Sequence, residues 1–144
     1  MVLEARIGLL RDTVLDRGIP IAVRRESGGW RSLPLPGGSE VGRVLYDGLR
    51  DRISVVTIDG TLDIRFRWRR TSFEWRGRRY AVGRMLWGHF TITEGTRIVA
   101  SGTPTMSGVR LDDVMADLEP IARALVLALA LRVVAFWVAV AAGG

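Results

Sequence analysis

The hydrophobic pattern of the chain changes sharply in its last quarter. Residues 117–142 are almost wholly apolar, and after residue 120 only Arg123 and Arg132 carry charge. A helix that is hydrophobic on all sides has to be buried, either inside a protein or in a membrane. The pattern therefore predicts one long buried helix that follows the rest of the chain.

Four acidic residues lie just before or at the start of this apolar segment. Negative charge is favourable at the start of a helix because the macrodipole is positive there, and proline is tolerated in the first turn. We therefore predict a helix over about residues 113–142, with Pro120 in its first turn. The acidic residues assigned to its start are Asp112, Asp113, Asp117 and Glu119.

The pattern in residues 19–101 is different. Short alternating segments are separated by turn residues every 8 to 12 positions, which is typical of a β-sandwich or barrel. The clearest strand is 61–69, where the apolar side chains fall on one face and the charged side chains on the other. The apolar face comprises Leu62, Ile64, Phe66 and Trp68, and the charged face comprises Asp63, Arg65, Arg67 and Arg69.

Turn residues pair these segments into hairpins. Asp59-Gly60 joins the β-branched run 53–58 to strand 61–69 and is a strong two-residue turn signal. Gly77 separates 72–76 from 79–86, and Glu94-Gly95 separates 89–93 from 97–101. The alternation favours antiparallel pairing, so the sequence predicts a meander of at least five strands. Residues 33–38 and 103–108 are predicted to be loops.

The first 16 residues allow two interpretations. Leu3, Ile7, Leu10 and Val14 fall on one stripe of a helix, which would make residues 3–16 a short amphipathic helix. The same segment could also be a first strand. Gly18 and Pro20 end the element in either case.

Two architectures compete for the apolar helix. Twenty-two residues span about 33 Å, which is long enough to cross a membrane. Arg132 lies mid-segment, where insertion costs about 2.5 to 3.5 kcal/mol, although the apolar residues could offset that cost. A closed antiparallel β-barrel around the helix explains both halves of the sequence, so we favour it. The predicted class is α+β, mainly β: a single domain over residues 1–144, with strands at about 19–110 and a central helix.

The order of these segments resembles the tubby C-terminal-like superfamily, which includes LURP-one-related proteins and phospholipid scramblases. The resemblance covers about residues 41–135 and is carried by segments 73–80, 90–92, 99–100 and 121–130. It implies an antiparallel barrel of about a dozen strands around a hydrophobic C-terminal helix. The chain is short for twelve strands, so its N-terminal third is expected to hold fewer, and the acidic calcium-binding loop of scramblases has no counterpart here.

Composition narrows the chemistry. The 144-residue chain has a formal net charge of +6, its 21 basic residues are all arginine, and it contains no cysteine. The lack of lysine fits the codon bias of a GC-rich genome. The absence of cysteine excludes disulfides, cysteine-ligated zinc and thiol catalysis. We expect a cytoplasmic protein with possible membrane association, because no secretory signal is visible at the N-terminus.

Positive charge is concentrated in residues 61–84, where eight arginines accompany two acids. Such a basic stripe is either a solvated strand face or a binding surface for an anionic partner, with lipid headgroups ahead of nucleic acid. Nucleic acid is disfavoured because Phe66, Trp68 and Trp75 are predicted to point inward, away from bases. The tubby-like resemblance also implies phosphoinositide binding. The candidate ligand-binding residues are Arg65, Arg67, Arg69, Arg70, Arg76, Arg78 and Arg79.

No catalytic constellation is visible in the sequence. His89 is the single histidine, and without cysteine it cannot build a metal site. Ser107-Gly108 is not part of a nucleophile elbow, and Gly37-Gly38 lacks the lysine of a phosphate loop. We expect no cofactor, no metal and no enzyme activity. The alternatives are a tail-anchored membrane protein with a β-rich cytosolic head and an enzyme of unrecognised type.

Overall fold

A computed structural model describes residues 1–38, 40–85 and 88–143. Within these residues the chain forms thirteen strands and one α-helix, α1, which spans Glu119–Ala141. The strands are β1 Leu3–Ile7, β2 Asp12–Asp16, β3 Ile19–Ala22, β4 Arg24–Arg25, β5 Arg31–Pro34, β6 Val41–Asp47, β7 Arg52–Thr57, β8 Gly60–Arg65, β9 Thr71–Trp75, β10 Arg78–Val82, β11 Phe90–Glu94, β12 Arg97–Pro104 and β13 Gly108–Asp112.

The strands form two antiparallel sheets. The first has the order β3-β2-β1-β13-β12-β11-β10-β9, and the second has the order β4-β5-β6-β7-β8. The predicted α+β, mainly β class and the antiparallel hairpins are confirmed. A closed barrel is not observed among the described residues, because strand pairing stops between β3 and β4 and again between β8 and β9. At the second gap the chain leaves the ladder after Arg65 and crosses to the other sheet through residues 66–70.

The first part of α1 lies between the two sheets. It packs against β1 and β13 of the first sheet and against β6 and β7 of the second. Two glycines allow this close approach. A Cβ atom added to Gly108 would lie 3.3 Å from the Ala130 side chain of α1, and one added to Gly42 would lie 3.4 Å from the Ala124 side chain. The core therefore comprises the inner faces of both sheets and the helix between them.

Both arginines of α1 have carboxylate partners in the surrounding β-structure. Arg123 Nε lies 2.7 Å from Asp16 Oδ2, at the end of β2. Arg132 binds Asp51 in the β6–β7 turn through two parallel hydrogen bonds, of 2.8 and 2.9 Å. These pairs explain how arginines fit into an otherwise apolar helix, because a half-buried charge requires a partner.

The second part of α1 extends beyond the sheets. Burial ends at Val133, and residues 135–141 are exposed although they are all apolar. We call residues 134–141 the helix tip; its large side chains are Phe136, Trp137, Val138 and Val140. By length and composition α1 could cross a membrane, and half of its most apolar window is buried between the sheets.

The N-terminal segment is β-structure. The helical interpretation of residues 3–16 is wrong, because burial there alternates with period two and places Leu3, Ala5 and Val14 in the core. Strands therefore begin at Leu3 rather than near residue 19. The N-terminal third is also richer in strands than expected, since β1 to β6 all fall within it.

The start of α1 also differs from the prediction. The helix begins at Glu119, which is the acidic residue of its first turn, and Pro120 lies in that turn as predicted. Asp112 belongs to β13 and accepts a hydrogen bond from Arg110. Asp113 lies at a left-handed turn, with φ of 53°. Asp117 pairs with arginines of β10 and β12. Three of the four acids assigned to the helix start therefore serve the strands and turns before it.

The hairpins are confirmed with shifted boundaries. Thr57 pairs with Gly60, so the first turn comprises Ile58 and Asp59. Arg76 and Gly77 form the second turn, both with positive φ. The predicted strand 79–86 is observed as β10, and Leu86 lies outside the described residues. The loops predicted at 33–38 and 103–108 are shorter, because β5 and β12 extend into them and β13 begins at Gly108.

The longest predicted strand is also shorter than expected. β8 ends at Arg65, and Leu62 and Ile64 are buried as predicted. Phe66 is half-buried, whereas Trp68 is 80% exposed, so its predicted inward orientation is wrong. The reason is that the crossing between the sheets interrupts the period-two geometry after Arg65.

Candidate functional site

Arginines surround a cleft of about 610 Å³ at the gap between β8 and β9. We call it the arginine cleft. Its lining consists of Arg52, Arg65, Arg67, Arg70 and Arg79, together with Asp63 and Ser72.

The β7–β8 hairpin positions two of these arginines side by side. Arg52 pairs with Arg65 in the ladder, and their neighbours Ile53 and Ile64 point into the core. Both guanidinium groups therefore lie on the outer face. Like charges on directly opposite residues are destabilising, so this pairing costs free energy in the absence of an anion.

The crossing segment and the β9–β10 hairpin supply the other side of the cleft. Arg67 and Arg70 belong to the crossing, where the Arg67 backbone N–H donates to Thr71 Oγ1 at 3.1 Å. Arg79 of β10 donates to Ser72 Oγ of β9 at 3.3 Å. Side chains from both sheets therefore meet at the gap between β8 and β9.

Positive charge in the arginine cleft is only partly compensated. Asp63, the one carboxylate of the lining, accepts hydrogen bonds from Arg52 at 3.1 Å and from Ser54 at 2.8 Å. Arg65, Arg67 and Arg70 form no ion pair within the described part of the chain. A guanidinium group presents a planar fork of donors that matches phosphate or carboxylate oxygens. The arrangement can therefore hold an anion with several oxygens.

The seven predicted site residues separate into three groups. Arg65, Arg67, Arg70 and Arg79 line the arginine cleft, and Arg69 lines the two neighbouring clefts. Arg76 pairs with Asp59 at 3.0 Å. Arg78 pairs with Glu94 at 2.7 Å and with Asp117 at 3.1 Å. The last two arginines are thus held in ion pairs away from the cleft.

Arg52 was missed because it lies outside the dense arginine segment of the sequence. The predicted hairpin contained the signal that would have found it. Residues paired across a two-residue turn can be counted outward from the turn. The predicted Asp59-Gly60 turn places Arg52 opposite Arg67, and the observed turn, shifted by one residue, places it opposite Arg65; both counts put Arg52 across from a cleft arginine.

A second, more apolar cleft of about 250 Å³ adjoins the arginine cleft and shares Arg67 with it. We call it the apolar cleft. Arg132 and Phe66 both line it, and the Arg132 guanidinium lies 3.8 Å from the ring centroid of Phe66. The cleft extends the arginine-rich surface to the helix tip through Phe136. Its other lining residues are Trp68, Arg69, Thr71, Val82, Gly83, Arg84 and Met85.

The gap between β3 and β4 is built differently, and we call it the bridged seam. The Asp12 side chain is fully buried there and accepts hydrogen bonds from Arg25 at 2.7 and 3.0 Å and from Arg31 at 3.1 Å. Burial by itself would raise the pKa of Asp12, but the two arginines outweigh it and hold this pKa below its ordinary value. Asp12 of the first sheet is therefore an ionised link to two strands of the second.

A related cluster anchors α1 near its exit from the sheets. Asp51 binds Arg132, and the Tyr46 hydroxyl donates to Asp51 Oδ1 at 2.7 Å. Burial would raise the pKa of Asp51, but these hydrogen bonds lower it below its usual range. Burial and the adjacent carboxylate raise the pKa of Tyr46 far above its ordinary value. The hydroxyl therefore remains a proton donor at all ordinary pH values.

His89 is exposed and lies just before β11. Among residues 1–38, 40–85 and 88–143, no group of three His, Asp or Glu side chains is arranged to hold a metal ion. Comparisons of the chain with family models, with curated proteins and with solved structures found no match.

Proposed function

We propose that this chain is a non-enzymatic β-rich module that binds anionic phospholipid headgroups at a membrane surface through the arginine cleft. The observation that carries the proposal is the grouping of five arginines around one exposed carboxylate at a gap between two sheets. An arrangement with uncompensated like charges contributes little to stability, whereas it provides favourable interactions for an anion.

The cleft chemistry favours a headgroup over nucleic acid. Binding to single strands usually combines basic residues with a row of aromatic side chains on which successive bases stack. The residues lining the arginine cleft include no aromatic side chain. Headgroup phosphates need only the guanidinium forks and the positive potential, and each arginine near an anionic membrane contributes about 1 kcal/mol.

We also propose that the fold is a tubby-like arrangement in which the two sheets together act as an interrupted barrel around α1. The support is the order of elements, with strands enclosing an apolar helix that follows them in the chain. An experimental structure that places the first half of α1 outside the sheets would overturn this assignment.

Vesicle flotation tests the lipid proposal. The Arg65→Gln/Arg70→Gln variant removes two cleft arginines without an ion partner. Its control, Arg17→Gln/Arg110→Gln, removes the same amount of charge from two exposed arginines elsewhere, which pair with Asp16 and Asp112. At about 1 kcal/mol for each arginine, we expect the cleft variant to bind phosphatidylserine-containing vesicles roughly thirty-fold more weakly. The control should bind nearly as the unmodified protein does.

Salt provides an independent test in the same assay. Exposed charge interactions weaken as the Debye length shortens, so binding should fall steeply between low and physiological ionic strength. Salt-insensitive binding, or equal losses in the cleft variant and its control, would contradict the proposal. If the protein binds single-stranded nucleic acid more tightly than vesicles, the ligand is nucleic acid rather than lipid.

A second candidate function is a tail-anchored membrane protein, because α1 is long and apolar enough to cross a bilayer. The burial of its first half and the ion pairs of Arg123 and Arg132 favour enclosure. Truncation before Pro120 distinguishes the two functions. Loss of an enclosed helix should abolish folding, whereas loss of a membrane tail should leave a folded head that is no longer extracted with the membrane fraction.

A further inference from the structure

Nearly fully exposed apolar side chains occur in several turns of the molecule, and the most exposed of them share one edge of the sheets. Each of these five is at least 80% exposed. They are Leu9 and Leu10 in the β1–β2 turn, Leu49 in the β6–β7 turn, Trp68 in the β8–β9 crossing and Met106 in the β12–β13 turn.

Contacts with α1 place the first two of these turns around the helix tip. β2 meets the beginning of α1 where Asp16 binds Arg123, so the opposite end of β2 lies toward the end of the helix. The β6–β7 turn is fixed near the end of α1 by the bond between Asp51 and Arg132.

The other two turns lie at the same edge. Phe66 and Arg67 of the crossing line the apolar cleft together with Phe136 of the helix tip. The β12–β13 turn is bonded to the end of β1, where the Ile7 backbone N–H donates to the Ser107 oxygen at 2.7 Å. We call this side of the molecule the tip edge, and we define it by these four turns and the helix tip.

We infer that the tip edge is a membrane-docking face that inserts the helix tip and the surrounding apolar turns into one leaflet of an anionic bilayer. The inference rests on the proposed lipid-binding function and adds the orientation and depth of binding. A tip that is apolar on all sides leaves no polar face for solvent, so it suits an isotropic apolar medium better than a one-sided groove on a protein.

The dimensions match partial insertion. The eight residues of the helix tip span about 12 Å, against a hydrocarbon core of about 30 Å. The tip therefore reaches into one leaflet and does not cross the bilayer. Trp68 and Trp137 belong to the residue type that is enriched at the boundary between headgroups and hydrocarbon.

Charge at the tip edge is complementary to an anionic surface. The four turns contain Arg11, Arg50, Arg67, Arg69 and Arg70, and their one carboxylate, Asp51, is bound to Arg132. The β4–β5 turn reaches the same edge, and its carboxylate, Glu26, is likewise paired, with Arg43 at 3.0 Å. A second copy of the chain docked tip to tip would bring these arginines together, and such like-charge contacts are unfavourable. The charges thus favour lipid over a second copy as the occupant.

The opposite edge of the sheets supplies a control. Its turns also expose an isoleucine, Ile58, at 79%, and their acids outnumber their arginines: Glu40, Asp59, Asp113 and Asp117 against Arg17 and Arg76. The net negative charge of that edge opposes an anionic membrane. The inference therefore predicts one-sided binding, with the tip edge in the lipid and Ile58 in water.

Site-specific labelling tests this orientation directly, because the chain has no cysteine of its own. An environment-sensitive fluorophore is attached to Met106→Cys, which lies outside the arginine cleft, and to Ile58→Cys as the matched control. With phosphatidylserine-containing vesicles, the Met106→Cys label should shift its emission to shorter wavelength and be quenched by nitroxide-labelled lipid. The Ile58→Cys label should do neither.

Each outcome has a defined meaning. If the protein floats with vesicles while the Met106→Cys label stays in water, the docking inference is wrong and the arginine-cleft proposal stands. If the protein does not float, both are wrong. A blue shift of the Met106→Cys label without vesicles that grows with protein concentration would identify a second copy as the occupant and overturn the inference.

Substitution of the turns gives a quantitative check. Leu9→Ser/Leu49→Ser removes two exposed apolar side chains from the tip edge, and Ile19→Ser/Ile58→Ser removes two from the opposite edge. The first variant should bind anionic vesicles at least about tenfold more weakly because less apolar surface enters the bilayer. The second should bind as the unmodified protein does, and equal losses in both would contradict the inference.

Discussion

The two gaps between the sheets arrange the same residue type in different ways. At the bridged seam, Arg25 and Arg31 bind the buried carboxylate of Asp12, and all three side chains are held by short hydrogen bonds. At the arginine cleft, five arginines share one exposed carboxylate. The comparison shows that the ratio of arginine to carboxylate, together with burial, separates a structural cluster from a candidate binding site.

The largest effect is expected at the bridged seam. Asp12→Ala leaves Arg25 and Arg31 without their common acceptor in a partly buried setting, and removal of one partner from such a cluster costs about 3 kcal/mol of unfolding free energy. Urea denaturation measures this loss. The matched variant Asp63→Ala should change the unfolding free energy by less than about 0.5 kcal/mol, since its ion pair is exposed. Similar losses of unfolding free energy in both variants would contradict this distinction between the bridged seam and the arginine cleft.

Acid should weaken the bridged seam in a defined direction. The pKa of Asp12 is lower in the folded chain than in the unfolded chain, so the unfolded chain binds the proton first as the pH falls. The stability that Asp12 contributes is fully present above its unfolded pKa of about 3.9 and is lost as the pH falls toward the folded value. The difference in unfolding free energy between the unmodified protein and Asp12→Asn should therefore narrow below about pH 4. The measurement covers about pH 6 to about pH 2, which is roughly two units on either side of that pKa. If the difference in unfolding free energy stays constant over this range, charge does not hold Asp12 in place.

The smallest effect is expected for the carboxylate of the arginine cleft. Asp63→Asn removes a negative charge that competes with an anionic ligand, so affinity for phosphatidylserine-containing vesicles should rise by about threefold to tenfold. Stability should remain nearly unchanged, as for the alanine variant. If Asp63→Asn binds vesicles more weakly, Asp63 orients Arg52 for the ligand and does not repel the ligand.

Local patterns in the sequence were sufficient to predict much of the strand order. Hairpins around residues 59, 77 and 95 were recognisable because their turn residues and flanking alternation are encoded within a few positions. The apolar segment that became α1 was equally clear. The seven arginines chosen as site residues included four of the five that line the cleft, since they are close together in the chain.

Features that depend on distant residues could not be read from these patterns. Trp68 continued a period-two pattern, but the chain crosses between sheets there and its side chain is exposed. Asp112, Asp113 and Asp117 matched a helix start, yet they bind or flank strands that fold beside them. The partners of Arg123 and Arg132 come from residues 16 and 51, far away in sequence. Such pairings are fixed by packing of the whole core rather than by local preference.

The position of α1 in the chain has a consequence for how the protein is made. The helix fills the space between the sheets, but the ribosome synthesises it after every strand described here. Until α1 emerges, the inner faces of both sheets lack their packing partner, and the bond from Arg123 to Asp16 spans 107 positions. Contacts so distant in sequence slow folding, and incomplete chains expose apolar surface. Nascent chains are therefore expected to need protection by chaperones until α1 has left the ribosome.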